Sequence, residues 1–205
     1  GAYTLNRGRA TLLAEREGAE APKWTDAGVE TRIREAAQAA GATAEALYNM
    51  GSLAMSKRDL AGAKSWYGKA IEKKPDFVAA ISRLGLVALA EGREADAVAQ
   101  FDRALDLDPA DAGANTYYGA KALLAKDYVE AVNLARKALV SDPDSMDAYQ
   151  ILAATYLEMG LLDVGILVAR NAIGIYPTNG AVQNLLGLIF LRMGEVRQAV
   201  QLFQK

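Results

Sequence analysis

Three aspartates, Asp106, Asp108 and Asp111, form the acidic cluster of this sequence that most resembles a site for chemistry. Oxygen ligands at such short spacing are the type that holds Ca²⁺ or Mg²⁺ in proteins. The cluster surrounds Pro109, and aspartates beside a turn also cap helices and keep the turn soluble. We interpret the three carboxylates as a turn cluster, and the sequence therefore predicts no metal site.

Catalytic groups of other kinds have few candidates. The sequence contains no cysteine and no histidine, which excludes a thiolate nucleophile, a histidine base, a disulfide framework and the usual zinc sites. Segments such as GLVALAEG and GAKALLAK lack the glycines and the Lys-Ser/Thr pair of a phosphate-binding loop. We expect no enzymatic activity, no catalytic residue and no cofactor.

The composition is that of a folded protein that binds neither nucleic acid nor a membrane. Apolar residues make up 52% of the chain, charged residues 23%, and the net charge is −2. Arg32 and Arg34 lie beside Glu30 and Glu35, which indicates a solvated helix face and not a phosphate-binding stripe. No apolar run is long enough for a membrane span, and neither a signal peptide nor a basic amphipathic face is evident. The compartment stays open between cytoplasm and periplasm.

The sequence contains an internal repeat of 34 residues. Four of the five prolines follow this period: Pro75, Pro109, Pro143 and Pro177. In units counted from residues 44, 78, 112, 146 and 180, the eighth place holds Gly51, Gly85, Gly119, Ala153 and Gly187. The twentieth place holds Ala63, Ala97, Ala131, Gly165 and Ala199. The twenty-fourth place holds Tyr67, Phe101, Ala135, Ala169 and Phe203.

Each unit contains two segments with apolar residues at helical spacing, such as YNMGSLAM and GAKSWYGKAI. Glycine inside a helix costs about 1 kcal/mol relative to alanine, so its recurrence at the eighth place indicates close contact with the small twentieth place of the second helix. Gly92, Gly160 and Gly194 fall between the two helices, where a left-handed residue is often needed. Proline ends each pair, and Asp76 and Ser145 are the expected N-caps of the helices that follow.

These residues resemble the tetratricopeptide repeat (TPR) pattern of a bulky residue, Leu-Gly, Tyr, Ala, an aromatic residue, Ala and Pro. The resemblance covers residues 44–205, although Ala135 and Ala169 stand where the family has an aromatic residue. It implies an all-α fold, a right-handed α-α superhelix (TPR solenoid) of antiparallel helix pairs. We predict repeats at residues 44–77, 78–111, 112–145 and 146–179, with a partial repeat at 180–205.

Both ends of the chain depart from the repeat. We interpret residues 1–43 as a degenerate N-terminal repeat or cap, with an inter-helix insertion GAEAPKWTDA and with Val29, Ile33 and Ala36 in the phase of a second helix. In an alternative interpretation, residues 3–17 occupy the binding groove as an internal ligand. The sequence ends inside a second helix, at Leu202 and Phe203. We therefore expect a piece of a longer protein, or an end that is covered by another chain, including self-association through this end.

The TPR resemblance implies that the first helices line a concave groove that binds another protein. The candidate partner-binding residues are Tyr48, Ser52, Met55, Ser82, Arg83, Leu86, Leu89, Thr116, Tyr117, Leu123, Gln150, Leu157, Asn184 and Leu188. Leu89, Leu123 and Leu191 fit inter-repeat packing equally well. The Lys/Asn/Asn/Lys/Arg clamp with which some TPR domains hold acidic chaperone tails has no match here.

The apolar lining of the groove suits an amphipathic helix or an extended apolar peptide. We therefore predict a protein–protein interaction scaffold in a larger bacterial assembly, similar to TPR proteins of pilus, secretion or motility machinery. Two alternatives remain: an architectural solenoid that self-associates through its C-terminal end, and a regulatory TPR domain of a larger enzyme.

Overall fold

A computed structural model describes residues 26–177 and 179–204. The first part of the predicted degenerate repeat, most of the insertion at residues 18–27 and the alternative of residues 3–17 in the groove lie outside this part of the chain. Asp26 and Ala27, the last two residues of the predicted insertion, already belong to the first described helix.

The described residues form eleven α-helices and no strand. The helices are α1 (Asp26–Gln38), α2 (Ala44–Ser56), α3 (Leu60–Lys73), α4 (Val78–Ala90), α5 (Glu94–Leu107), α6 (Ala112–Leu124), α7 (Tyr128–Ser141), α8 (Met146–Glu158), α9 (Leu162–Ile175), α10 (Gly180–Arg192) and α11 (Val196–Phe203). The all-α prediction is confirmed.

Helix lengths alternate with the 34-residue period. The first helices α2, α4, α6, α8 and α10 each have 13 residues, and the second helices α3, α5, α7 and α9 each have 14. Short turns and links join them, and such short connections favour antiparallel neighbours. We propose that the start of each first helix is also the start of a repeat unit.

A left-handed residue ends each first helix. Gly92, Gly160 and Gly194 have φ angles of 75°, 74° and 81°, so the prediction made for them is confirmed. The two remaining first helices carry Arg58 and Lys126 at the equivalent place, each with a φ of 61°. Because a side chain makes this conformation unfavourable, both residues are held there by the repeat geometry.

Helix N-caps are mostly polar, with one departure from the prediction. The Ser145 hydroxyl accepts a hydrogen bond from the backbone N–H of Ala148, as expected. Asp76 does not cap α4, because it lies one residue too early: Phe77 occupies the cap position and provides no side-chain bond. The aspartate turn does provide a cap, since Asp111 Oδ1 accepts from the Ala114 N–H at 2.7 Å.

The described chain divides into two compact units, one ending at Gln100 and the other beginning at Phe101, with the boundary inside α5. The core of the first unit is built from small side chains around Tyr67, to which α1 contributes Ala37. Ala36, which the period places in the core, is exposed instead. The phase of the repeat is therefore shifted by one residue in α1, which accounts for its weaker match. The second unit has two alanine-rich core clusters, one centred on α7 and α8 and the other on α9 and α10.

The glycines at the eighth place pack in two ways, and only one of them was predicted. Where the twenty-fourth place is alanine, the eighth and twentieth places meet. A methyl group on Gly119 would lie 3.7 Å from the Ala131 carbonyl oxygen, and one on Gly165 would lie 3.6 Å from that of Ala153.

Where the twenty-fourth place is aromatic, its ring covers the glycine. A methyl group on Gly51 would lie 2.6 Å from Cε1 of Tyr67, and one on Gly187 would lie 2.5 Å from Cε1 of Phe203. The glycine therefore makes room for a ring in these pairs, instead of bringing two small side chains together.

Candidate functional site

In the first unit, Tyr48 on α2 is the centre of an aromatic cluster that also contains Tyr67 of α3 and Phe77 at the start of α4. Its ring centroid lies 5.5 Å from that of Tyr67 and 5.3 Å from that of Phe77, with the planes tilted. Arg83 Nε donates a hydrogen bond to the Tyr48 hydroxyl at 3.4 Å. Two predicted site residues from neighbouring first helices, Tyr48 and Arg83, are thus in direct contact.

Ser52 joins the same cluster through the buried ring of Tyr67. The two hydroxyl oxygens lie 3.2 Å apart in a hydrogen bond. Burial raises the pKa of the Tyr67 hydroxyl, while its bond to Ser52 and the charge of Arg83 act in the opposite direction. Tyr67 was not a predicted site residue; its twenty-fourth place is typical of a core aromatic residue, which concealed its polar contact.

The aliphatic residues predicted for this unit differ in accessibility. Met55, Leu86 and Leu89 are half-buried, and Met55 packs against the core. Ser82 is only 4% exposed, so its side chain is not accessible as a lining residue. The prediction assumed one fixed lining face for every first helix, and at Ser82 neighbouring packing closes that face.

In the second unit, Tyr117 on α6 is the centre of another aromatic cluster. Its ring stacks on Phe101 at 4.7 Å between centroids and meets the edge of Tyr118 at 5.0 Å. The Lys121 ammonium lies 5.5 Å from the Tyr117 ring centroid and 3.4 Å from its hydroxyl. Tyr117 therefore has one ring face packed and a cation beside it, as Tyr48 has Arg83.

The neighbouring Tyr118 has a strongly raised pKa, and nothing in the repeat pattern singled this residue out. Its hydroxyl donates a short hydrogen bond to Asp102. Burial raises the pKa of Tyr118 well above its usual range, and the bond to the Asp102 carboxylate raises it further. Tyr118 and Asp102 therefore form a hydrogen-bonded pair beside the Tyr117 ring.

The remaining predicted residues of the second unit are not equally available. Thr116 is 8% exposed, and its hydroxyl lies 2.8 Å from the backbone carbonyl oxygen of Ala112 and 2.9 Å from that of Gly113, which share its single hydrogen. It serves its own helix, so its expected role as a lining residue needs correction. Leu123 and Leu157 are half-buried and pack against the core clusters.

Gln150 is half-buried, whereas Asn184 is exposed. Leu188 on α10 is 47% exposed, and Leu191, one turn further along the helix, is 48% exposed. The opposite side of α10 is buried, including Ile189 and Phe190. The accessible side of α10 therefore carries two large apolar residues, Leu188 and Leu191, beside the polar Asn184, and the exposed Arg192 lies at its end.

Other kinds of site find no support in the described part of the chain. Asp108 Oδ1 accepts from the Ala110 N–H at 2.9 Å, and Asp111 caps α6, so the aspartate cluster is engaged in turn and cap bonds. Within residues 26–177 and 179–204, no group of three or more acidic residues is arranged to hold a metal ion. None of the helices described is both long and apolar enough to cross a membrane.

A family model of the tetratricopeptide repeat matches residues 48–112 and again residues 82–146, two stretches offset by one 34-residue period. Residues 48–146 of this chain are tetratricopeptide repeats. TPR proteins are generally non-catalytic scaffolds, and the TPR fold of this chain is that of a scaffold for protein–protein interaction.

Solved structures with the same fold support the assignment. A crystal structure of MamA is 25% identical, covers 76% of this chain and 91% of its own, and has a TM-score of 0.53. PilF from Pseudomonas aeruginosa is 20% identical, with coverage of 84% and 77% and a TM-score of 0.63. A thermophilic TPR protein of Thermus thermophilus is 14% identical, with coverage of 78% and 88% and a TM-score of 0.60. No curated protein matches the sequence significantly.

Proposed function

We propose that this TPR chain binds a peptide or an amphipathic helix of a partner protein on the first-helix surfaces of its two units. The observation that carries the proposal is the accessible side of α10, where Leu188 and Leu191 are about half exposed beside the uncharged Asn184. An exposed apolar strip at helical spacing is the surface that an amphipathic helix or an extended apolar peptide covers.

The first unit has a candidate surface of its own. Tyr48 offers a ring that is held in place by Tyr67 and Phe77, and Arg83 offers a cation at its edge. A ring that is already ordered loses little conformational freedom when a partner binds, which favours affinity. We expect apolar partner side chains to pack on Tyr48 and a carbonyl or carboxylate to meet Arg83.

The proposed setting is a larger bacterial assembly. Likeness to bacterial TPR structures, PilF of Pseudomonas aeruginosa among them, supports that setting.

Two surface variants test the proposal without disturbing the core. The double substitution Leu188→Glu and Leu191→Glu adds charge to half-exposed positions of α10, and Arg83→Glu reverses the charge at the Tyr48 edge. The control is Leu124→Glu, because Leu124 is 83% exposed at the end of α6 and outside the predicted lining. In affinity capture from a bacterial lysate, the Leu124→Glu control should bind the partner as the wild type does. The α10 variant should bind it at least about tenfold more weakly.

Equal capture by all variants, with circular dichroism unchanged, contradicts the proposal. Tyr48→Glu is not a clean test, because this ring packs against the core of the first unit and its loss affects folding as well as binding.

A second candidate function, self-association through the C-terminal end, has one specific observation in its favour. Val196, Val200 and Phe203 on α11 are 55%, 44% and 45% exposed and share one helix face. Leu202 packs against the core, so of the two terminal residues predicted to be exposed or paired, only Phe203 contributes to this face. Val200→Glu should reduce light scattering at high protein concentration if this face joins two chains.

A further inference from the structure

The second helix α9 has an outer face that differs from those of the other second helices. This face, hereafter the α9 face, consists of Leu161, Val164, Leu167, Asn171 and Ile175. The four apolar members are 45%, 41%, 62% and 37% exposed in the order given, and Asn171 is exposed too. They recur every three or four residues and form one stripe along the helix.

The other repeats have polar or small residues at the same places, of which Asp59 and Asp127 also cap their helices. At the sixteenth place, where α9 has Leu161, they have Asp59, Arg93, Asp127 and Glu195. At the nineteenth place, that of Val164, they have Gly62, Asp96, Glu130 and Gln198. At the twenty-second place, that of Leu167, they have Ser65, Ala99, Asn133 and Gln201. Three large apolar residues therefore replace polar or small ones on a single helix, which marks a covered surface.

The charges beside the stripe indicate what covers it. Asp163 and Arg170 are both exposed on α9 and lie seven residues apart. Seven residues are two helical turns less about 20°, so both side chains flank the same edge of the stripe, about 10 Å apart. This distance is too long for an ion pair within one helix, and in the described part of the chain neither residue takes part in an ion pair.

We propose that the α9 face is a homodimer interface, on which a second copy of this chain lies with its α9 antiparallel to the first. A twofold axis across the two helices, between residues 166 and 167, exchanges the positions of Asp163 and Arg170 and keeps them at the same edge. Asp163 of each copy then faces Arg170 of the other, which gives two equivalent ion pairs. Leu167 of each copy packs against Leu167 of the other copy beside the axis. Val164 of each copy packs against the C-terminal half of the other copy's α9 face.

The size of the face sets the strength of the association. A helix of 14 residues is about 21 Å long, so one helix pair buries less than the roughly 1,200 Å² typical of stable complexes. The dimer is therefore weak and depends on protein concentration. Its charge pairs set the orientation and the choice of partner more than they add affinity.

Sedimentation of the full chain over a concentration series up to about 1 mM tests the interface. The wild type should show a monomer–dimer equilibrium, and Leu167→Glu should weaken it at least about tenfold. Val140→Glu is the matched control, because Val140 is also an exposed apolar residue of a second helix, α7, and lies outside both proposed association faces. It should leave this equilibrium unchanged.

Charge reversal tests the antiparallel geometry. Asp163→Arg alone and Arg170→Asp alone place like charges opposite each other twice, so each variant should dimerise at least about tenfold more weakly than the wild type. Mixed together, the two variants should form a heterodimer in which both ion pairs are restored. The double variant with both reversals should dimerise as the wild type does.

Several outcomes overturn the proposal. If the wild type is monomeric throughout the series, no such dimer exists. If Val200→Glu weakens the dimer and Leu167→Glu does not, the chains associate through α11. Failure of the two charge variants to pair with each other excludes the antiparallel arrangement. If the wild type floats with phosphatidylcholine vesicles and Leu167→Glu does not, the α9 face binds a lipid surface instead.

Discussion

The pairing of Gly51 with the Tyr67 ring makes one substitution unusually informative. Alanine at position 51 adds a methyl group that would lie 2.6, 2.7 and 3.0 Å from Cε1, Cδ1 and Cζ of that ring. Ordinary carbon contacts begin near about 3.5 Å, so the ring has to move by roughly 1 Å. Tyr67 is only 1% exposed, it is hydrogen-bonded to Ser52, and it packs on Tyr48, so it has little room to move.

Two opposing terms decide the sign of the change in stability. Alanine gains about 1 kcal/mol over glycine inside a helix, and overpacking a core costs about 1–3 kcal/mol. We therefore expect Gly51→Ala to lower the free energy of unfolding by up to about 2 kcal/mol. Urea unfolding followed by far-UV circular dichroism measures it.

The chain carries its own control at the same place of another repeat. A methyl group on Gly119 would lie 3.5 Å from Cβ of Leu134 and 3.6 Å from Cδ1 of Ile151, which are ordinary contacts. Gly119→Ala should therefore gain stability, by up to about 1 kcal/mol. In a Tyr67→Ala background the ring is absent, and Gly51→Ala should become stabilising as well. If Gly51→Ala stabilises the wild-type chain as much as Gly119→Ala does, the role given to the ring is wrong.

Three further substitutions follow from caps, turns and titration. Asp111→Ala removes the oxygen that accepts from the Ala114 N–H and should cost about 1 kcal/mol in urea unfolding, whereas Asp111→Asn should retain most of the stability. Lys126→Gly relieves a φ of 61° and should raise the melting temperature by about 2–4 °C, whereas Lys126→Ala should not. The pKa of Tyr118 is raised in the folded state by burial and by Asp102, so its stabilising effect is complete below about pH 10 and is lost as the pH rises towards the folded-state pKa. Tyr118→Phe should therefore lose less stability than the wild type between about pH 10 and pH 12 in urea titrations; an equal loss contradicts the assignment.

The helical repeat could be predicted from the sequence because its determinants are local. Apolar spacing, prolines and turn glycines act within a few residues of their own backbone, and they place a left-handed residue at Gly92, Gly160 and Gly194. Arg58 and Lys126 adopt the same conformation without the glycine signal, since the packing of the flanking helices imposes it. The prediction that Asp76 is the N-cap of α4 was wrong by about one residue, which shows how accurately local sequence places the start of a helix.

The lining of the candidate site could be predicted only in part. The repeat period predicted that Tyr48 and Arg83, at the fifth and sixth places of successive first helices, would lie on neighbouring helices. The burial of Ser82 and Thr116 depends on how closely neighbouring helices pack against each first helix. The repeat period contains no information about that packing.

The sequence by itself determined an all-helical TPR chain with a 34-residue period and with small residues at fixed places. Only the tertiary structure decided what fills the space above each of those small residues. The same glycine faces an aromatic ring at position 51 and backbone and aliphatic side chains at position 119. The reason is physical: a repeat fixes which places meet, but packing depends on the volumes of the particular side chains that arrive there from distant parts of the chain.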